Sequence, residues 1–493
     1  MDQPVSPPAA RASGALPGGP RDLTVGPIGK SLLLFALPVL GANILQSING
    51  SINAIWVSHV LGEAALTATA NANIILFLLI GAIFGIAMAA SLLVGQAVGA
   101  HDLERVKRVV GASTGFFIVL SVVVAVLGFL FTPAILDAMQ TPGDAKASAI
   151  AYLRVIFMAM PFLYLFAYVQ MIQRGAGDAR TPLYFSLLAV GLDVLLNPLL
   201  IMGVGPFPKL GIAGSATATL IAQCTSLCLL IAYLYKKKSP LVPRRGEWRY
   251  VRIDSVILKA LLTRGLPMGA QMLVISGSAI AMMALVNRFG VQTAAAYGAA
   301  NIIWTYVQMP AMAVGVSVSA MAAQNVGAKK WDRVDQVARE GVKLALIATT
   351  TPVAMIFLLH RPIVGLFLPA GSEAIVIAQA IDGAALWSFI FFSTSFALFG
   401  VVRATGAVIA PLLILVFTMW IVRVPVAAFA TQYFGADAIW WSFPISSACA
   451  TTLAVLYYKY GGWRKARMTD EPIGEAPDCG AGAPAMADDG PTR

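Results

Sequence analysis

Charge is what this 493-residue chain has least of. Asp, Glu, Lys and Arg make up 12% of it, about half the roughly 25% of an ordinary soluble domain, which excludes a water-soluble globular protein. Histidine (three) and cysteine (four) are scarce too. Cys224 and Cys228 lie one helical turn apart in an apolar run, Cys449 sits in another, and Cys479 is near the C-terminus. That spacing gives neither a disulfide framework nor a zinc site, and a cysteine inside a span reads as a small hydrophobe. His59, His101 and His360 fall near predicted span ends, with nothing to bring them together. There is no H-E-x-x-H, no pair of metal-binding acids in one run and no nucleophile–base set. An enzyme is therefore not expected, nor a cofactor or metal.

What is present is apolar: 58% hydrophobic residues and a mean hydropathy of +0.79. A membrane-spanning helix needs about 20 apolar residues. Twelve candidate runs occur, near 32–56, 66–93, 111–131, 149–172, 183–203, 211–235, 264–287, 293–322, 342–368, 377–400, 408–430 and 438–458. The expected fold is an all-α polytopic membrane protein. With the N-terminus inside, 28 of the 34 Lys and Arg fall on cytoplasmic segments. The net charge of +11 is then an orientation signal that places both termini in the cytoplasm, and a nucleic-acid partner is unnecessary. The densest basic cluster runs from Lys236 through Arg244, Arg245, Arg249 and Arg252, and it marks a linker at 236–263 between lobes at 30–235 and 264–458. Residues 1–29 and 459–493 read as disordered tails, without the apolar run of a secretory signal.

The chain also says the same thing twice. Gln96-Ala97-Val98-Gly99-Ala100 with Arg105-Val106 returns about 228 residues later as Gln324-Asn325-Val326-Gly327-Ala328 with Arg333-Val334. Leu37-Pro38 pairs with Leu266-Pro267, Gly62…Asn73-Ile74-Ile75 with Gly290…Asn301-Ile302-Ile303, and R-x-x-G-x-x-x-x-P recurs at Arg174–Pro182 and Arg403–Pro411. Six spans per half is an even number, so the halves are parallel and pseudo-symmetric, as in transporters that rock two lobes about a central site.

Polar residues inside the spans carry the functional signal. Gln46, Asn49 and Asn53 fall on one face of the first span, and Asn301, Thr305 and Gln308 on one face of the eighth. Such amides commonly bridge helices in a bundle, but paired stripes beside Gly50 and Pro310 favour the wall of a hydrated cavity, which Thr217 and Gln271 would extend. Asp193 stands alone in the apolar stretch Leu187–Leu200, with Asn197 one turn away. An acid deep in a bilayer is costly and marks an ion or substrate path; the bland alternative is a structural carboxylate satisfied by neighbouring donors. Asp382, Glu63 and Asp137 read instead as solvated groups near span ends. Tyr164, Tyr168, Met272, Met283, Trp304, Tyr306, Met309, Met312 and Trp387 read individually as bundle core, although Met and aromatic side chains also suit a permissive pocket.

The segment Leu192–Thr219, L-D-V-L-L-N-P-L-L-I-M-G-V-G-P-F-P-K-L-G-I-A-G-S-A-T-A-T, resembles the fifth-to-sixth helix hairpin of the MATE (multidrug and toxic compound extrusion) transporters. The two Q-x-V-G-A motifs, Arg174-Gly175-Ala176-Gly177-Asp178 before Thr181-Pro182, and Trp420–Pro425 resemble that family as well, over about residues 30 to 458. The resemblance implies a twelve-helix, two-lobed antiporter that exports small organic compounds, cationic or amphipathic, on a proton or sodium gradient. It implies an Asn followed by an Asp in the fifth helix; here the order is Asp193 then Asn197, and Asn53 stands where many members carry a first-helix aspartate. The proton-coupling role therefore carries to Asp193, with Asn197 and Asn53 as neighbours, and a lobe with one acid favours H+ over Na+. A monomer in the cell membrane, in contact with lipid, is expected. A flippase for lipid-linked saccharides is the competing reading; the placement of most cationic residues in loops argues against it.

Overall fold

The computed structural model describes residues 22–61, 63–139, 143–243, 247–251, 254–365 and 373–469. Residues 1–21 and 470–493 of the tails, Arg244, Arg245 and Arg252 of the linker, and the side chains of Glu63 and Arg249 lie outside the described residues.

Among the described residues, twelve helical stretches are long and apolar enough to cross a membrane. Helix is the form such sequences must take, because hydrocarbon offers backbone groups no other hydrogen-bond partner. The first lobe holds α1 (Ile28–Leu61), α2 (Glu63–Gly99), α3 (Leu103–Ala138), α4 (Gly143–Gly175), α5 (Arg180–Met202) and α6 (Ile212–Lys236). The second begins with α7 (Ser255–Val286), α8 (Val291–Gly327) and α9 (Trp331–Leu358), followed by a short α10 (His360–Val364). Its tenth span is broken at Leu386 into α11 (Glu373–Ala385) and α12 (Trp387–Thr405). The eleventh joins α13 (Ile409–Val416) to α14 (Val424–Phe434) through a π-helical segment, Phe417–Arg423, and the twelfth is α15 (Asp437–Tyr460). Helix starts follow local chemistry: Asp102 accepts from the Arg105 amide at 2.9 Å, and Asp254 accepts from the Val256 amide at 2.9 Å.

The lobes meet where α2 packs on α7 and α1 on α8. The repeated motifs meet each other. A Cβ on Gly99 would lie 1.8 Å from the Gln324 carbonyl oxygen, and one on Gly327 would lie 1.9 Å from that of Gln96, so both positions require glycine. Gln96 Nε2 donates to the Ala404 carbonyl at 2.7 Å, and Gln324 Nε2 donates to the Gly175 carbonyl at 3.1 Å. Each repeated glutamine thus holds the backbone beside the repeated arginine of the other half. These contacts seal the lobes together at the end of the bundle where the described residues begin and finish.

Part of what reads as tail is ordered there. Leu23 is buried; its amide donates to Gln324 Oε1 at 2.8 Å and its carbonyl accepts from Asn325 at 3.3 Å. Lys330 and Arg333 donate to Thr24 and Gly26. At the other terminus Trp463 and Met468 are buried, and Thr405 donates to the Trp463 carbonyl at 2.9 Å. These straps are held mainly by backbone bonds to the motif residues, which no apolar run announces.

Candidate functional site

Asp193 sits at mid-length on α5 and is 2% exposed. Its Oδ2 accepts from Asn49 Nδ2 at 2.7 Å and Asn53 Nδ2 at 3.0 Å, both on α1; its Oδ1 accepts from Thr219 Oγ1 at 3.1 Å, on α6. Asn197, one turn along α5, donates to Asn53 Oδ1 at 2.6 Å and to Ser215 Oγ at 3.2 Å. One carboxylate therefore ties three helices together, and a relay runs from Asn197 through Asn53 to Asp193. Two of the three groups on the acid are amide donors, and the third, the Thr219 hydroxyl, can turn between the acid and the Ser215 carbonyl at 3.3 Å. No basic side chain pairs with it among the described residues. Two acceptors of the same cluster, Asn49 Oδ1 and Asn197 Oδ1, are buried without a partner.

Beside this cluster the first lobe holds a cavity of about 280 Å³, lined by residues including Asn43, Gln46, Tyr164, Gln170, Arg174 and Gln223. Tyr164 Oη, Gln223 Oε1 and Arg174 Nε are buried and unpartnered. Polar groups held without protein partners in an apolar wall are the groups a ligand or water would satisfy.

The residues singled out from sequence divide between several places. Asp193, Asn197, Asn53 and Asn49 come together in the carboxylate network. Gln46 lines the first-lobe cavity. Thr217 donates back to the Ala213 carbonyl at 2.7 Å within α6. Gln271 is buried in the second lobe, where it accepts from Arg403 at 3.3 Å. Asn301 and Thr305 are exposed on α8, Thr305 donating to the Asn301 carbonyl, and Gln308 is half-buried two turns on from Asn301.

Two expectations are corrected. Asp382 is no solvated cap: it is fully buried, accepts from Trp304 Nε1 at 2.8 Å and pairs with His360 Nε2 at 2.9 Å. It lies about 13 Å along the helix from Glu373, and α10 turns His360 back against it. Arg174 and Arg403, counted in sequence as loop cations, are 7% and 4% exposed in the last turns of α4 and α12. The functional-looking residues that sequence reasoning missed are these two arginines, Arg423, Thr219 and Ser215. The recurrence of R-x-x-G in both halves was the available signal for Arg174 and Arg403.

A duplicated twelve-span bundle, sealed at one end and carrying a buried acid beside a largely apolar cavity with a few polar groups in one lobe, defines a membrane transporter. The MatE family profile matches residues 38–199 and again 267–429, one match per half. The chain is 38% identical over 445 residues to a probable multidrug resistance protein, YoeA, of Bacillus subtilis, covering 90% of this chain and 96% of that one. It is 24% identical to the multidrug export protein MepA of Staphylococcus aureus, over 88% and 94% of the two chains. Among solved structures, a MATE protein in complex with MaD3S superposes with a TM-score of 0.82 at 19% identity, over 89% of this chain and 97% of that one. A multidrug resistance MATE transporter in an outward-facing conformation gives 0.81 at 20% identity, over 89% and 96%. The chain belongs to the MATE family of transporters.

Proposed function

We propose that this MATE protein is a proton-coupled antiporter of the cell membrane, with both termini cytoplasmic, that exports small organic compounds by alternating access through the first-lobe cavity. The observation that carries this reading is the Asp193 network. A proton on Oδ2 displaces a bond from Asn49 or Asn53, whereas one on Oδ1 is met by the Thr219 hydroxyl turning from donor to acceptor. Two of those three bonds hold α1 to α5. Proton uptake on Oδ2 therefore loosens α1 beside the cavity, and proton and substrate then compete for one conformational equilibrium. The relatives named for multidrug resistance and export support organic compounds as substrates. Arg174 on the cavity wall favours a substrate that carries an acceptor group.

A sodium-coupled reading rests on the unpartnered Asn49 and Asn197 oxygens, hard ligands of the kind such a cation takes. The test is efflux of a fluorescent organic cation from proteoliposomes, driven first by a proton gradient and then by a sodium gradient, for wild type and Asp193→Asn. Proton-driven efflux that falls to background in the variant is expected. Sodium-driven efflux, or unchanged proton-driven efflux in Asp193→Asn, overturns the assignment.

A further inference from the structure

The second lobe contains a narrow pocket whose charge is of one sign. Arg403 on α12 and Arg423 at the end of the π-helical segment both line it, and its other walls come from α7, α13 and α15 and from α2 of the first lobe. No Asp or Glu lines it, and neither arginine has a carboxylate partner among the described residues. Arg423 donates to Ser446 Oγ at 2.9 Å and to Ser447 Oγ at 3.5 Å, with its guanidinium over the Phe443 ring at 4.7 Å. Arg403 donates once, to Gln271 Oε1 at 3.3 Å, and stacks on Phe396 at 4.9 Å. Its Nε and Nη2 are buried with no hydrogen-bond partner.

Two guanidiniums within a bilayer-spanning bundle, one with unmade bonds, are expensive as they stand. Their stacked rings and neutral amides disperse charge but do not neutralise it. An anion does both, taking the free Arg403 donors and offsetting the charge. Size narrows the choice. The cavity is about 20 Å³, little more than the roughly 10–15 Å³ that one water needs, and Met and Phe side chains form much of its wall. Of the hydroxyls in the lining, Thr418 and Ser446 donate to the Ile414 and Phe443 carbonyls, and Ser447, which accepts from Arg423, keeps its proton for the site. A π-helical segment is a local device often found at functional sites, and here it ends on one of the two arginines.

We propose that this pocket is a binding site for a single monovalent anion of halide size, held between Arg403 and Arg423. The site is separate from Asp193 and does not depend on the coupling ion.

Thermal unfolding of the purified full-length protein, followed by tryptophan fluorescence in sodium gluconate titrated with sodium chloride at constant ionic strength, tests this. Saturable stabilisation by chloride of about 2–4 °C is expected, matched by bromide and absent in Arg423→Gln and Arg403→Gln. Asp193→Asn should keep the full shift, so failure of the coupling assignment does not disturb this result. Equal Tm in chloride and gluconate, a shift that never saturates, or a shift retained in both arginine variants overturns the proposal. Stabilisation by benzoate but not by chloride overturns the halide assignment. Bromide soaked into crystals supports the site if its anomalous peak lies between the two guanidiniums, and contradicts it if it binds elsewhere alone.

Discussion

Two buried acids, one in each lobe, are satisfied in opposite ways. Asp193 has three neutral donors, each of which can rotate away, whereas Asp382 is clamped between an indole N–H and an imidazole. The second arrangement is structural in character, and its loss should be read in stability. Asp382→Ala leaves Trp304 Nε1 and His360 Nε2 without a partner in a site that water does not reach, at a cost of about 2–4 kcal/mol. Asp382→Asn keeps an acceptor for Trp304 and should cost about half as much; denaturant unfolding in detergent distinguishes the two. Asp193 was legible in sequence because it is the lone charge in an apolar run. Asp382 was not, because its partner His360 stands 22 residues earlier, beyond a helix end, and only the turn into α10 brings the ring to the carboxylate.

The helices are legible where burial in lipid alone decides them, which is why twelve runs give twelve spans. Their irregularities are not. The break at Leu386 and the π-helical register at Phe417–Arg423 answer to packing against neighbours, including Trp420 Nε1 donating to the Val274 carbonyl at 3.2 Å. Glycines make the same point in a testable form. On α2, a Cβ at Gly85 would lie 2.1 Å from the Gly269 amide nitrogen, backbone against backbone, while on α5 a Cβ at Gly191 meets nothing within 4 Å. Gly85→Ala must push α2 off α7 and should destabilise by about 1–3 kcal/mol. Gly191→Ala adds helix propensity without a clash and should stabilise by up to about 1 kcal/mol. Melting temperatures of the two variants should move in opposite directions; an unchanged value for Gly85→Ala would mean that the α2–α7 contact does not limit stability, and a fall for Gly191→Ala would overturn the open-space argument at α5.

At the scale of the whole molecule, the repeat could be read as a repeat but not as a contact. Sequence placed the two Q-x-V-G-A motifs in equivalent positions, and only the crossing of α2 and α8 sets each against the other, with the Leu23 strap bound over the second. If transport requires the lobes to part at the end where they are sealed, a covalent tie across that seal must stop it. A Cβ at Gly95 would lie 3.0 Å from Ala323 Cβ and 3.2 Å from the Gly175 carbonyl oxygen, so α2 must shift by about half an ångström to reach the roughly 3.5–4.5 Å span of a disulfide. Gly95→Cys with Ala323→Cys, in a background where Cys224, Cys228, Cys449 and Cys479 are replaced by serine, should therefore cross-link under mild oxidation. Gradient-driven efflux should fall to background in the oxidised protein and return on reduction, while each single cysteine variant is indifferent to the oxidant. The reversibility separates a locked gate from a damaged fold. Efflux that continues through the oxidised pair would mean that the substrate path opens without separating α2 from α8, and the seal would then be a fixed hinge about which the lobes turn.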